Sequence, residues 1–149
     1  MPRRLMLAVI ISLLATACSP DPNASVPILS PPDNPEWHTT DSQLKYCTIH
    51  SAPLMARAAE KGSRVTVQYV GAFDDGHIFD SGIERQVPFT FTLGHNQVIK
   101  GWEEGIVGMR AGEVRYLIIP PSLAFGEYGR GPIPAHTTMH YKIALLSVD

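Results

Sequence analysis

From residue 42 onward, apolar and polar positions alternate in short runs separated by turn residues. Residues 64–70 (RVTVQYV) and 89–93 (FTFTL) have the period of two that marks half-buried strands. Residues 43–49, 77–81, 113–119 and 139–148 read as further strands, the fifth run being stopped by Pro120-Pro121. Asp74-Asp75-Gly76 is a turn, in which Gly supplies a positive φ at little cost. One segment changes period: Ile99, Trp102 and Ile106 fall at i, i+3 and i+7, a single helix face. Gly101 and Gly105 weaken that helix intrinsically, so packing must hold it, with Trp102 as its heaviest anchor. A sheet of short strands around one short helix is an α+β fold. No internal repeat interrupts residues 42–149, which read as one domain.

The first 41 residues follow other rules. Arg3 and Arg4 precede an apolar run at 5–14, broken only by Ser12, and then Ala15-Thr16-Ala17. This is the layout of a secretory signal peptide over residues 1–17, with an apolar run too short for a stable membrane span. Two processing routes fit: plain cleavage after Ala17, giving a soluble periplasmic protein, or lipidation of Cys18. Ala-Thr-Ala-Cys resembles a bacterial lipobox, although Ala15 stands where that motif usually has Leu, Val or Ile. Lipidation is the expected route, and Ser19 rather than Asp then favours an outer-membrane anchor facing the periplasm or cell surface. Several acyl chains would hold firmly, each buried methylene adding about 0.8 kcal/mol. Residues 18–41 read as a proline-rich tether that cannot sustain a helix and reaches ~3.1 Å per residue when extended. Trp37, near its end, is expected to pack on the domain rather than touch the membrane.

Composition narrows the functional classes. A formal net charge of −2 with no basic run gives nucleic acid no footing. The two cysteines, Cys18 and Cys47, make no disulfide framework, and Cys47 reads as a small apolar strand residue. His136 and His140 are four apart but not on a helix, with no further ligands nearby, so no metal is expected. No phosphate loop, nucleophile elbow or zinc signature occurs. Glu103-Glu104 reads as a solvated helix face, and Asp80–Arg85, by itself, as a surface pair.

Four stretches carry a specific likeness: YVGAFDDGHIFDSG (69–82), PFTFTLGHNQVIKGWEEGIVGMRAGE (88–113), IPPSLAFG (119–126) and GPIPAHTTMHYKIALLSV (131–148). In this order and spacing they resemble the FKBP-type peptidyl-prolyl cis-trans isomerases, from about residue 44 to residue 148. The resemblance implies an antiparallel β-sheet half-wrapped around one short α-helix, with a shallow apolar pocket between them. It assigns Tyr69, Phe79, Asp80, Ile99, Trp102 and Phe125 to catalysis. Arg85, Phe89, Val98, Ile133 and Tyr141 would bind substrate, Trp102 forming the floor and the Ile99 N–H donating to a bound carbonyl. It also implies that no cofactor is used, that the clients are proline-containing unfolded or partly folded exported proteins, and that macrolide inhibitors are further ligands. Three departures stand out. Phe125 replaces the motif's tyrosine, losing a hydroxyl whose hydrogen bond would contribute ~0.5–1.5 kcal/mol. Leu123 replaces another frequent tyrosine, and the flap from 126 to 136 is one residue short. A non-catalytic proline-binding or adhesion module using the same pocket is the alternative reading.

These residue types suit the chemistry. Rotation about an X–Pro bond meets a barrier of ~18–20 kcal/mol because amide resonance must break. No bond forms and no proton need move. A dry aromatic cup disfavours the planar, charge-separated amide relative to the twisted one, and each ~1.4 kcal/mol of that difference is tenfold in rate.

Overall fold

The computed structural model describes residues 30–149. The expected signal segment, Cys18 and the start of the expected tether lie outside them. Seven strands and one helix follow in chain order: β1 (His38–Thr39), β2 (Lys45–His50), β3 (Arg64–Ala72), β4 (Ile78–Ser81), β5 (Phe89–Thr92), α1 (Lys100–Ile106), β6 (Val114–Ile119) and β7 (Met139–Val148). A 3₁₀ turn at Pro121–Leu123 occupies the place where the prolines stop β6. The strands form one antiparallel sheet in the order β1-β2-β6-β7-β3-β4, with β5 also on β3.

Strand β3 organises this sheet. Along one edge it pairs with β7 from Val65↔Val148 to Ala72↔His140. Its other edge is divided, its first half pairing with β5 and its last residues with β4. Between them, residues 82–88 leave the sheet, tied back by Gly82 N–H to the Tyr69 carbonyl at 2.9 Å. That excursion carries Arg85 out beside Tyr69. The alternation of β3 shows in its burial: Val65 and Val67 are fully buried and Thr66 only partly.

The inner face of the sheet and one face of α1 make the core, which includes Leu44, Val65, Val67, Trp102, Ile106, Leu117, Ile119, Ile143 and Leu145. Both helical glycines have a packing reason. A Cβ on Gly101 would stand 2.4 Å from Ile119 Cγ2, and one on Gly105 would stand 2.8 Å from Leu117 Cδ1. The helix therefore lies directly on β6, and the cost of two glycines in a seven-residue helix is offset by that contact.

Packing reaches further toward the N-terminus than the tether assignment allowed. β1 pairs with β2 through His38↔Tyr46 and Thr39↔Lys45. Trp37 sets its ring edge-on to Tyr116 at 6.1 Å, in keeping with the expected packing on the domain. A two-residue strand has no periodicity, which is why sequence patterning passes over it. The acidic pair on α1 is also not simply a solvated face. The Glu103 carboxylate accepts the N–H groups of Gly94 and Asn96, and Glu104 accepts the Ser42 hydroxyl at 2.7 Å. The Glu103 bonds fix the loop that leads into the helix, and the Glu104 bond ties the helix to the segment before β2.

Gly101→Ala is expected to lower stability by about 1–3 kcal/mol through overpacking against Ile119. It should appear as a lower urea midpoint at unchanged slope. A higher midpoint, which helix propensity alone would give, would mean the helix lifts off β6 freely.

Candidate functional site

Trp102 projects from α1 between the sheet and the loops, and aromatic rings stand around it. Tyr69 from β3 meets it edge-on at 4.9 Å, and Tyr141 from β7 at 5.2 Å and 88°. Phe89 and Phe91 from β5 lie at 6.2 and 6.0 Å. Phe79 from β4 packs edge-on against Tyr141 at 5.7 Å. Such pairings contribute roughly 0.5–1.5 kcal/mol each beyond the area they bury, so the rings hold one another in place. Trp102 is only 4% exposed whereas Phe89 is 40% exposed, so the floor is dry and the rim open. The Trp102 indole N–H is buried with no hydrogen-bond partner among the described residues.

The rings enclose a cavity of about 330 Å³. Tyr69, Asp80, Phe89, Val98, Ile99, Trp102, Phe125 and Tyr141 line it, together with Asn96, Gln97 and Arg130. A second hollow of about 330 Å³ adjoins it beneath the flap, lined by Phe79, Gly131, Pro132 and Ile133 and sharing Asp80, Phe125, Arg130 and Tyr141. The site thus has two lobes with a common wall. Of the residues expected from sequence, eight line the first lobe, and Phe79 and Ile133 line only the second. Arg85 lines neither lobe. Cys18 lies outside the described residues. Asn96, Gln97 and Arg130 were not anticipated; Arg130 is the one Lys or Arg in the flap at 126–136, which is the signal that could have found it.

Arg85 acts on the rim through its neighbours. One guanidinium nitrogen donates to Asp80 Oδ1 at 2.5 Å, and the other to the Tyr69 hydroxyl oxygen at 2.8 Å. The Tyr69 hydroxyl in turn donates to Asp80 Oδ2 at 2.8 Å. This closed triangle directs the Asp80 carboxylate and orients the Tyr69 ring, though Arg85 itself is largely exposed. Burial pushes the Tyr69 phenol up, with the hydrogen bond to Asp80 adding to it. Burial also pushes the Tyr141 phenol up, followed by the Asp80 and Tyr69 charges. Both hydroxyls therefore stay protonated through the neutral range.

Two backbone features give the rings room. Gly71 on β3 sits beneath the Phe79 and Tyr141 rings, where a Cβ would come within 2.6 Å of Tyr141 Cε1. At the mouth, Ile99 is extended at φ −60° and ψ 153°, immediately before the first turn of α1. Its N–H makes no hydrogen bond to any described residue, leaving a donor at the cavity wall. The arrangement offers an apolar cup, one oriented carboxylate and one backbone donor. Among the described residues no group of three His, Cys, Asp or Glu side chains is placed to hold a metal.

A family model described as FKBP-type peptidyl-prolyl cis-trans isomerase matches residues 55–146. The chain is 48% identical over 92 residues to FK506-binding protein 2 of Yarrowia lipolytica, covering 61% of this chain and 64% of that one. It is 46% identical over 93 residues to the FK506-binding protein of Neisseria meningitidis serogroup C, covering 62% of this chain and 85% of that one. The chain thus spans less than two-thirds of the Yarrowia protein but most of the Neisseria one. Among solved structures, FkpA from Escherichia coli superposes with a TM-score of 0.72 at 32% identity, covering 78% of this chain and 53% of that one.

The raised phenols have a consequence for stability. Folded Tyr69, Tyr116 and Tyr141 hold their protons above the ordinary value of 10. Their contribution is therefore complete below pH 10 and is lost as pH rises from 10 through the folded values. The urea midpoint is expected to fall above pH 10, and to fall less steeply in Tyr141→Phe. An identical slope in the variant would exclude Tyr141 as a source.

Proposed function

We propose that this chain, which belongs to the FKBP-type peptidyl-prolyl cis-trans isomerase family, accelerates rotation about X–Pro bonds in exported proteins at the cell envelope. The observation that carries the activity is the aromatic cup over Trp102, with Asp80 held at its edge by Arg85 and Tyr69. A pyrrolidine ring fits the first lobe by shape, its faces against Tyr69, Trp102 and Tyr141. The Ile99 N–H would take a carbonyl of the bound peptide and fix its orientation. The planar amide loses its hydration in the cup, and the twisted amide, less charge-separated, loses less. Asp80 adds a fixed negative field at the edge where the amide nitrogen becomes pyramidal. No proton leaves the protein, which agrees with phenols held protonated by burial.

Phe125 lines both lobes but has no hydroxyl to offer, so the cup acts here with one donor fewer than the family pattern supplies. Macrolide inhibitors of this family would meet the same cup. The alternative, a proline-binding or adhesion module without turnover, draws on that missing donor and the short flap.

Export rests on residues 1–18: two arginines, a short apolar run, Ala-Thr-Ala and Cys18. Lipid on Cys18 would tether the domain through residues 19–36 to an outer membrane and direct it to clients that fold there. The plain-cleavage route would leave it soluble in the periplasm.

The full chain, purified in mild detergent, is expected to accelerate isomerisation of X–Pro peptides, and Asp80→Ala to reduce kcat/KM about tenfold or more, equivalent to ~1.4 kcal/mol or more of lost transition-state stabilisation. No acceleration with any X residue, from a folded sample, would favour the binding module. Phe125→Tyr is expected to raise turnover by up to roughly tenfold, the value of one regained hydrogen bond. Labelled fatty acid incorporated by the wild type but not by Cys18→Ser would establish the anchor, and no label in either would leave plain cleavage.

A further inference from the structure

Leu54 and Met55 are neighbours in the chain, 85% and 97% exposed, and neither belongs to the cup. They are displayed rather than loose. The Ala56 N–H donates to the Pro53 carbonyl at 2.9 Å, so the two side chains stand at the corners of a tight turn. That turn is fastened from behind: Arg110 Nη1 donates to the Ala56 carbonyl at 2.6 Å, and the Ala111 N–H to the Arg57 carbonyl at 3.1 Å. Single exposed apolar residues are ordinary, but two adjacent ones held out on a pinned turn mark a contact surface.

The place of the turn says what it would meet. β1 pairs antiparallel with β2 through His38↔Tyr46 and Thr39↔Lys45, so the chain enters β1 from the His50 end of β2. The turn at 53–56 springs from that same end. The residues after it, Arg57 and Ala59, bond to Gly108, Met109 and Ala111, beyond the C-terminal end of α1. The mouth of the cup lies at the other end of α1, at Val98 and Ile99. The turn thus shares an end of the domain with the incoming chain and stands away from the mouth. Arg57 is the one charged residue from 51 to 59, and Asp33 and Glu36 on the incoming chain offset it. What this end offers is apolar contact rather than charge.

We infer that the Leu54–Met55 turn is a lipid-contact site: its two side chains seat in the boundary between headgroups and acyl chains of the bilayer and hold the domain with its cup facing away. This rests on the proposed lipid at Cys18 and gives that anchored state an orientation. Cys18 stands 19 residues before Trp37. At ~3.1 Å per residue the tether keeps the domain within roughly 60 Å of the bilayer even when fully extended. A contact too weak to act alone becomes effective when it is linked in this way. An anchored domain without such a contact would meet the bilayer with any face, the cup included. A seated turn leaves the cup open to clients.

The test places the lipidated full chain in vesicles of phosphatidylethanolamine and phosphatidylglycerol. An environment-sensitive fluorophore is attached at Met55→Cys or, in a second sample, at Tyr128→Cys, a flap position 93% exposed. Cys47, 1% exposed, is shielded from the label. The Met55 probe is expected to brighten and to be quenched by doxyl-labelled lipid, and the Tyr128 probe to stay in water, at low and high salt alike. Leu54→Ser beside the Met55 probe should cut that quenching by about half or more and leave turnover of X–Pro peptides unchanged. A lipidated, folded chain with both probes in water, or both quenched equally, would overturn the inference and leave the anchor intact. Self-association that Leu54→Ser abolishes, with the Met55 probe unquenched by lipid, would put a second copy on the turn and overturn it as well. If labelled fatty acid shows no lipid on Cys18, the same probes are read on the Cys18→Ser chain at high vesicle concentration. Quenching of the Met55 probe alone would then keep the contact and remove the anchor, and no quenching would remove both.

Discussion

The close approach of α1 to β6 sets the rest of the molecule. Gly101 and Gly105 let the helix rest on Ile119 and Leu117 without an intervening methyl layer, and only from that depth does Trp102 reach the foot of Tyr69 and Tyr141. A helix standing an ångström higher would push the indole into the cavity it now floors. The seven-residue α1 is too short to be stable by propensity. It is held by apolar burial beneath and by Glu103 and Glu104 above, which tie it to the loop at 94–96 and to Ser42. Core packing and site geometry are here one constraint.

Above that floor, apolar and polar groups are kept apart. The rings supply shape and exclude water, while Asp80, Tyr69 and Arg85 close on one another at the edge. Tyr69 belongs to both sets: its ring walls the cup, and its hydroxyl donates to Asp80 and accepts from Arg85. Exposed ion pairs contribute little to stability, and this one, with Arg85 largely exposed, acts through orientation instead.

Much of this was legible in the chain because two periods are hard to mistake. The alternation over 64–70 and 89–93 became β3 and β5, and the spacing of Ile99, Trp102 and Ile106 became α1 with its buried face. Ten of the eleven motif residues line the two adjoining lobes, and Arg85 stands outside both. What escaped is what has no period or depends on distant chain. β1 is two residues long and is held by pairing with β2 and by the nearby Trp37–Tyr116 contact. Gly71 looks like any strand glycine until Phe79 and Tyr141 are seen above it. The split of the cavity into two lobes depends on where the flap returns, and Arg130 could be placed on their common wall only once that was known. Residues 1–18, where an export signal is expected from sequence, lie outside the described residues.

The order of the strands carries a consequence for how the chain comes to exist. β3, which bears Tyr69 and Gly71, pairs along one whole edge with β7, and β7 also pairs with β6. Two of the sheet's most extensive pairings thus wait for residues 139–148. Until that stretch is available, residues 64–72 have only the short partners β4 and β5, and the floor under Trp102 cannot close. Contacts this distant in sequence form slowly. A chain still being made would therefore remain open along its length, and would acquire its cup in a single late step when β7 arrives.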